Sequence, residues 1–162
     1  MRLRIQRATS QDVPVILDLI RGLAEYERLS HEVAATEHGL RETLFGSRPA
    51  AEVVVCYLGE EPAGFALFFH NYSTFLGRPG IYLEDLFVDE QHRGKGFGKA
   101  LLVYLARLTK ERNCGRLEWA VLDWNEPSIN FYKSLGARSM DEWNVFRLTG
   151  ETLDRVANVQ VD

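Results

Sequence analysis

Residues 81–102 read Ile-Tyr-Leu-Glu-Asp-Leu-Phe-Val-Asp-Glu-Gln-His-Arg-Gly-Lys-Gly-Phe-Gly-Lys-Ala-Leu-Leu. Tyr82 to Val88 is an apolar, β-prone run interrupted only by Glu84 and Asp85, and it predicts a strand. Asp89 to Gly98 then sets Gly94, Gly96 and Gly98 among Gln91, His92, Arg93 and Lys95, with Lys99 just beyond. From Phe97 on, Leu101, Leu105 and Leu108 recur at three-to-four spacing and predict a helix. Strand, glycine-rich turn and helix, in that order, leave backbone N–H groups uncovered at a helix N-terminus. Those donors, the positive end of the helix dipole and the basic neighbours favour a phosphate or pyrophosphate. Glycine lets the anion come close to the backbone.

The spacing narrows the ligand. A Walker A loop needs four residues before its Gly-Lys pair and a hydroxyl after it. Here three residues separate Gly94 from Gly98-Lys99, and Ala100 follows, so no magnesium ligand is present and a nucleoside triphosphate is disfavoured. The dinucleotide fingerprint G-x-G-x-x-G fails by one residue, because Gly94, Gly96 and Gly98 alternate. What fits is Q-x-x-G-x-G, as Gln91, Gly94 and Gly96, directly after an apolar strand. An ordinary strand-to-helix turn with three glycines is the plainer alternative.

Working outward, 162 residues suffice for one domain with its own core, expected over 1–162. Apolar content of 46% and charged content of 26% are those of a soluble globular chain. A formal charge of −4 argues against a nucleic-acid partner and leaves cationic partners open. Cys56 and Cys114 lack CxxC spacing, imply neither a disulfide framework nor a zinc site, and suit a reducing, cytoplasmic location. His31, His38, His70 and His92 have no ligand-like spacing, so no metal is expected. No leader-like apolar region opens the chain, and no apolar run nears the ~18 residues of a membrane span, so no membrane partner is expected.

Leu3 to Arg7 alternates and predicts a strand. Thr9 or Ser10 caps a helix with Val13, Ile16, Leu17, Ile20 and Leu23 on one face. A shorter helix is expected over Thr36 to Phe45. Val53 to Leu58 and Ala63 to Phe69 predict a hairpin through Gly59-Glu60-Glu61-Pro62. Asn71 to Gly80 reads as a loop, Arg116 to Leu122 as a strand, Asn125 to Leu135 as a capped helix stopped by Gly136, Trp143 to Leu148 as a late strand, and Glu151 to Ala157 as a terminal helix. The sum is a single α/β domain of the α+β kind: a mixed, mostly antiparallel sheet flanked by helices, with a parallel pair at its centre.

A second constellation is Asp123-Trp-Asn-Glu-Pro-Ser-Ile-Asn-Phe-Tyr-Lys-Ser-Leu-Gly-Ala137. On a helix, Asn125, Ser128 and Tyr132 share one face as a cap, a hydroxyl and a phenol. Taken alone, this is also the pattern of an ordinary capped amphipathic helix. Joined to the glycine loop, the two motifs resemble those of the GCN5-related N-acetyltransferases, with element order intact from Leu3 to Leu148. Leu23-Ala-Glu-Tyr-Glu27, Tyr82-Leu-Glu-Asp-Leu-Phe-Val88 and Trp124-Asn-Glu-Pro-Ser-Ile-Asn-Phe-Tyr-Lys133 are similar to the diamine acetyltransferases, the group that includes spermidine/spermine N1-acetyltransferases and their thialysine-acetylating relatives. Two departures bear on amine choice. The hairpin at Gly59 to Gly64 is short where eukaryotic members have a longer insertion, and Asp141 to Val145 only loosely follows the acidic, Trp-containing pattern there.

The resemblance implies acetyl-CoA as co-substrate, with pantetheine lying between two splayed strands. It implies cofactor contacts at Leu86, Phe87 and Val88, where a strand bulge frees backbone groups. Further contacts fall in the loop at Gln91, His92, Arg93, Gly94, Lys95, Gly96, Phe97, Gly98 and Lys99, and on the later helix at Asn125, Ser128, Phe131 and Lys133. It implies Glu84 as base, through ordered water, and Tyr132 as acid, with a homodimer as the assembly. An amine must lose its proton before attacking a thioester, and the departing thiolate must gain one, so both roles are chemically required. No cysteine lies in either motif, so transfer is expected to be direct, within a ternary complex. The plainer alternative for Glu84 is an edge-facing, solvated carboxylate. Tyr26, Glu27, Glu84 and Asp141 are candidate contacts for a small cationic amine such as a diamine or polyamine; the plainer alternative for Tyr26, Glu27 and Asp141 is a solvated acidic surface. Thialysine or another lysine-like amine, and a CoA-binding module without turnover, are the competing readings.

Overall fold

Five strands form one sheet in the order β1-β2-β3-β4-β5: β1 (Leu3–Arg7), β2 (Glu52–Leu58), β3 (Glu61–Ser73), β4 (Arg78–Val88) and β5 (Leu117–Trp119). The computed structural model describes residues 2–161, so the two ends of the expected 1–162 domain lie outside the described residues. The chain divides into two compact units, Met1–Ala120 and Val121–Asp162. The first holds the whole sheet with α1 (Val13–Tyr26), α2 (Glu37–Phe45) and α3 (Phe97–Glu111). The second holds α4 (Glu126–Ser134) and α5 (Gly150–Ala157).

In the first unit β1 to β4 pair antiparallel, and β4 pairs parallel with β5. Buried runs on both sheet faces follow from helices on each side. Val53, Val55, Tyr57, Phe65 and Phe87 pack with Ile16, Leu19 and Leu44 from α1 and α2. Ladder partners of β2, β3 and β4 on the opposite face, such as Val54, Ala66 and Leu86, turn the other way. Thr9 and Asp12 close a capping box ahead of α1, and the Thr36 hydroxyl caps α2 by accepting from Gly39 N–H at 3.1 Å.

Three expectations change. The loop expected at Asn71 to Gly80 is mostly ladder, since Asn71, Tyr72 and Ser73 pair with Gly80, Pro79 and Arg78. Only a tight turn remains, in which Ser73 Oγ accepts from Leu76 N–H and Gly77 takes φ +61°. The strand expected at Arg116 to Leu122 shrinks to Leu117–Trp119, the length that finds partners in Ile81 to Leu83. The strand expected at Trp143 to Leu148 does not form. A strand needs a ladder partner, and this segment has none among the described residues, leaving Val145 86% and Phe146 94% exposed. The parallel pair is therefore the last in the recognised strand order.

Candidate active site

The strand β4 carries one residue too many. Opposite Leu67 and Phe68 stand Asp85 and Leu83, so Glu84 is unpaired in the ladder and forms a β-bulge. The bulge resets the alternation. Ile81 and Leu83 share a face with His70 and Phe68, whereas Asp85 and Phe87 share the opposite face with Leu67 and Phe65, the face under α1. Regular alternation would have put Leu83 and Asp85 on one face. Glu84 itself stands exposed at the kink.

Beyond Leu83 the parallel ladder ends, and the β5 side of β4 opens from Glu84 to Val88. Asp89 N–H donates to Ala63 O at 2.9 Å, and Phe87 O lies so close to Gly64 that a Cβ there would collide with it. Phe87 therefore turns its backbone groups to β3, and by alternation Leu86 and Val88 turn theirs to the open edge. These groups fall at the two residues flanking Phe87, three and five positions after the bulge's start at Leu83, within the segment the sequence singled out, and of them Val88 O accepts from Arg93 Nε.

The glycine loop follows at once. Asp89 caps a short 3-10 turn at Glu90–His92 by accepting from Gln91 N–H at 3.0 Å. Gly94 and Gly96 take φ +72° and +85°, the left-handed region that a side chain resists, and an added Cβ at either would meet nothing within 4 Å. Gly96 is the N-cap of α3, and the first intrahelical bond there runs from Ala100 N–H to Gly96 O. The N–H groups of Phe97, Gly98 and Lys99 thus have no intrahelical acceptor. That fits a pyrophosphate: converging donors, a helix dipole and open space over two glycines. Other loop side chains hold the loop itself. Lys95 Nζ donates to Gln91 O at 2.9 Å, Arg93 Nε donates to Val88 O at 3.0 Å, and Phe97 is core. The His92 ring is buried, 5.8 Å from Phe97, with Nε2 3.5 Å from Glu61 in the β2–β3 hairpin.

The acidic groups differ in environment. Burial, then the charges of Glu84 and Glu27, push the Asp85 carboxyl up to about 6. Burial likewise raises Glu27, which caps the C-terminus of α1. The sequence reading assigns Asp85 no role in the site. The sequence signal was an adjacent acidic pair inside an apolar strand, but the bulge that turns Asp85 under α1 has no local signature. Tyr26 lies under the Arg93 guanidinium, 4.3 Å from Cζ to the ring centre.

In the second unit, Asn125 is buried and its Oδ1 accepts from Ser128 N–H at 3.4 Å, capping α4 as expected. Phe131 and Tyr132 are half-buried with ring centres 5.4 Å apart, and Lys133 is exposed. Gly136 ends the helix at φ +88°, its N–H on Lys133 O and that of Ala137 on Tyr132 O, a Schellman stop. Asp141 is exposed and accepts from Ser139 Oγ. Among the described residues no group of three or more His, Cys, Asp or Glu is arranged to hold a metal ion, and no helix is long and apolar enough to cross a membrane.

The profile of the acetyltransferase (GNAT) family matches residues 17–137. The chain is 37% identical to the L-ornithine N5-acetyltransferase NATA1 of Arabidopsis thaliana, over 98% of this chain and 89% of that one. It is 38% identical to the thialysine N-epsilon-acetyltransferase of Bos taurus, over 94% and 96%. An integron cassette protein from the mobile metagenome of V. cholerae superposes with a TM-score of 0.82 at 27% identity, covering 98% of this chain and 99% of that one.

Proposed function

Because this chain belongs to the GNAT acetyltransferase family, we propose that it transfers the acetyl group of acetyl-CoA to a primary amine of a small, flexible cation of the diamine or polyamine kind. The observation that carries the amine is the carboxylate group at the end of β4, where the charges of Glu84 and Glu27 add to burial in raising the cost of ionising Asp85. A second cationic group on the substrate relieves that cost. The chain's net charge of −4 agrees.

Acetyl-CoA supplies the acetyl group as a thioester. In this reading the N–H groups at the start of α3, with Gln91 and the loop residues to Lys99 apart from the Arg93 side chain, hold the pyrophosphate. Leu86 and Val88 present backbone N–H groups to pantetheine and to the thioester carbonyl along the open edge of β4. Asn125, Ser128, Phe131 and Lys133 serve the cofactor from α4. Glu84 receives the amine proton through water as the nitrogen–carbon bond forms. Tyr132 gives its phenol proton to sulfur as the carbon–sulfur bond breaks. Tyr26, Glu27 and Asp141 receive the distal ammonium. Burial pushes the Cys56 thiol up to about 12, which supports direct transfer over a cysteine-borne acyl group. One domain over 1–162, a homodimer and a cytoplasmic location belong to the same reading; a sedimentation equilibrium fitting only the monomer mass removes the dimer.

Asp85 favours a second assignment of the base, because a carboxyl titrating near 6 is better matched to neutral-pH proton transfer than an ordinary one. The ornithine and thialysine acetyltransferases similarly support a second substrate class, the side-chain amine of an amino acid. Thiol release from acetyl-CoA with putrescine, spermidine, ornithine, thialysine and a simple monoamine separates these readings. Turnover with the diamines supports the proposal. Turnover with ornithine or thialysine alone moves the substrate to the amino-acid class, and acetyl-CoA binding without any turnover leaves a binding module.

A further inference from the structure

Arg93 sits in the glycine loop, and its charge alone suggests an anion ligand. Its side chain is committed elsewhere. Nε donates to Val88 O at 3.0 Å, and Cζ lies 4.3 Å from the centre of the Tyr26 ring and 5.8 Å from that of Phe87. Phe87 is on the sheet face under α1, and α1 comes close because Gly22 has no side chain: a Cβ there would stand 3.0 Å from the Phe87 ring. Arg93 therefore bridges the loop to the last residue of α1, one position before Glu27. A planar guanidinium is suited to this double task, since it stacks on a ring while its Nε–H holds a carbonyl.

We infer that Arg93 is a positioning residue for the amine, fixing Tyr26 and the adjacent Glu27 carboxylate against the end of β4. This rests on the amine reading above in one respect, the placing of Tyr26 and Glu27 at the amine. Arg93 acts through Tyr26, so its loss weakens the amine and spares the cofactor.

Lysine separates charge from geometry. Arg93→Lys keeps the positive charge, which an anion ligand needs, and loses the planar stack and the Nε–H bond. The expected result is a rise of about two- to tenfold in KM for the amine, the worth of one exposed cation–π contact and its hydrogen bond. Acetyl-CoA affinity, read as a ligand-dependent thermal shift that needs no turnover, stays within about twofold of wild type by the same reasoning. Tyr26→Leu gives the same split, and the double variant is no worse than the poorer single one, because both remove one stack. Arg93→Lys that weakens acetyl-CoA while leaving amine KM unchanged overturns the inference, as do Arg93 and Tyr26 effects that multiply. An absence of turnover in wild type defeats the amine reading by itself, and the acetyl-CoA shift still decides whether Arg93 serves the cofactor.

Discussion

Asp85 is the residue whose environment departs furthest from its sequence neighbourhood. Its carboxyl titrates near 6 in the folded chain against 3.8 ordinarily, so the native state holds its proton longer than the unfolded state. Stability from this group is complete below about pH 4, declines as pH rises to about 6, and is flat above that. Asp85→Asn removes the decline and is expected to be more stable than wild type at pH 7 by up to about 2–3 kcal/mol, with the two alike near pH 4. Urea unfolding at the two pH values checks this, and an equal gap at both contradicts it. Tyr132→Phe keeps the ring and loses the proton; kcat is expected to fall by about 10²–10⁴-fold with acetyl-CoA affinity held. An unchanged chemical step in a single-turnover experiment returns Tyr132 to packing. At this scale the sequence made the glycine turn legible, because motif spacing survives in one dimension. The face that Asp85 takes was hidden, because a one-residue bulge decides it and the pairing that makes the bulge lies in Leu67 and Phe68.

The glycine loop and the helix it starts were legible for physical reasons: positive-φ glycines, a cap and an apolar stripe are local. Gly96→Glu tests the element. It places a charged side chain at φ +85° in the proposed anion site. At ~100 times Kd, acetyl-CoA should stabilise wild type by about 2.7 kcal/mol and the variant not at all. The comparison is of ligand-dependent shifts, because the strain at Gly96 lowers the variant's own melting temperature. Three other elements are tied by charge. Glu52 at the start of β2 accepts from Arg112 at the end of α3, with Nη2–Oε1 at 2.9 Å, and also from Arg7 of β1. Arg112 first, against an opposing burial cost, brings the Glu52 carboxyl down to about 2. Stability from it is present above about pH 4.5 and is lost as pH falls toward 2. Arg112→Met is expected to cost about 1 kcal/mol at pH 7, the figure of a partly exposed, screened pair, and less near pH 3. A urea-midpoint gap that does not narrow with acid removes the ion pair as the cause. This tie could not be read from sequence, since its members are 45 and 60 residues apart. The late strand failed for the same reason in reverse: Trp143 to Leu148 has the composition of a strand, but composition does not supply a partner.

For the whole molecule the decisive property is the sign of its charge and where that charge collects. The chain carries 23 acidic against 19 Lys and Arg residues, a modest excess. Glu27, Glu84 and Asp85 gather part of it where the β4–β5 ladder has ended, and the charges of Glu84 and Glu27 act on the partly buried Asp85. A substrate bearing two ammonium groups meets this field with both charges, a monoamine with one. A diamine is therefore expected to exceed a monoamine of equal length in kcat/KM. The advantage should shrink from low salt to 0.1–0.15 M, where exposed charges are screened over ~8–10 Å. Glu27→Gln should raise KM for the diamine and leave the monoamine nearly unchanged, because only the diamine loses a partner. Glu84→Gln should depress kcat/KM for both and recover in part at high pH, where more free amine is present. Rates for putrescine, spermidine and a monoamine at two ionic strengths carry the whole comparison. Equal rates that ignore salt would remove the diamine from the account and leave acetyl transfer standing, since the glycine loop and the open edge of β4 do not depend on the amine's charge.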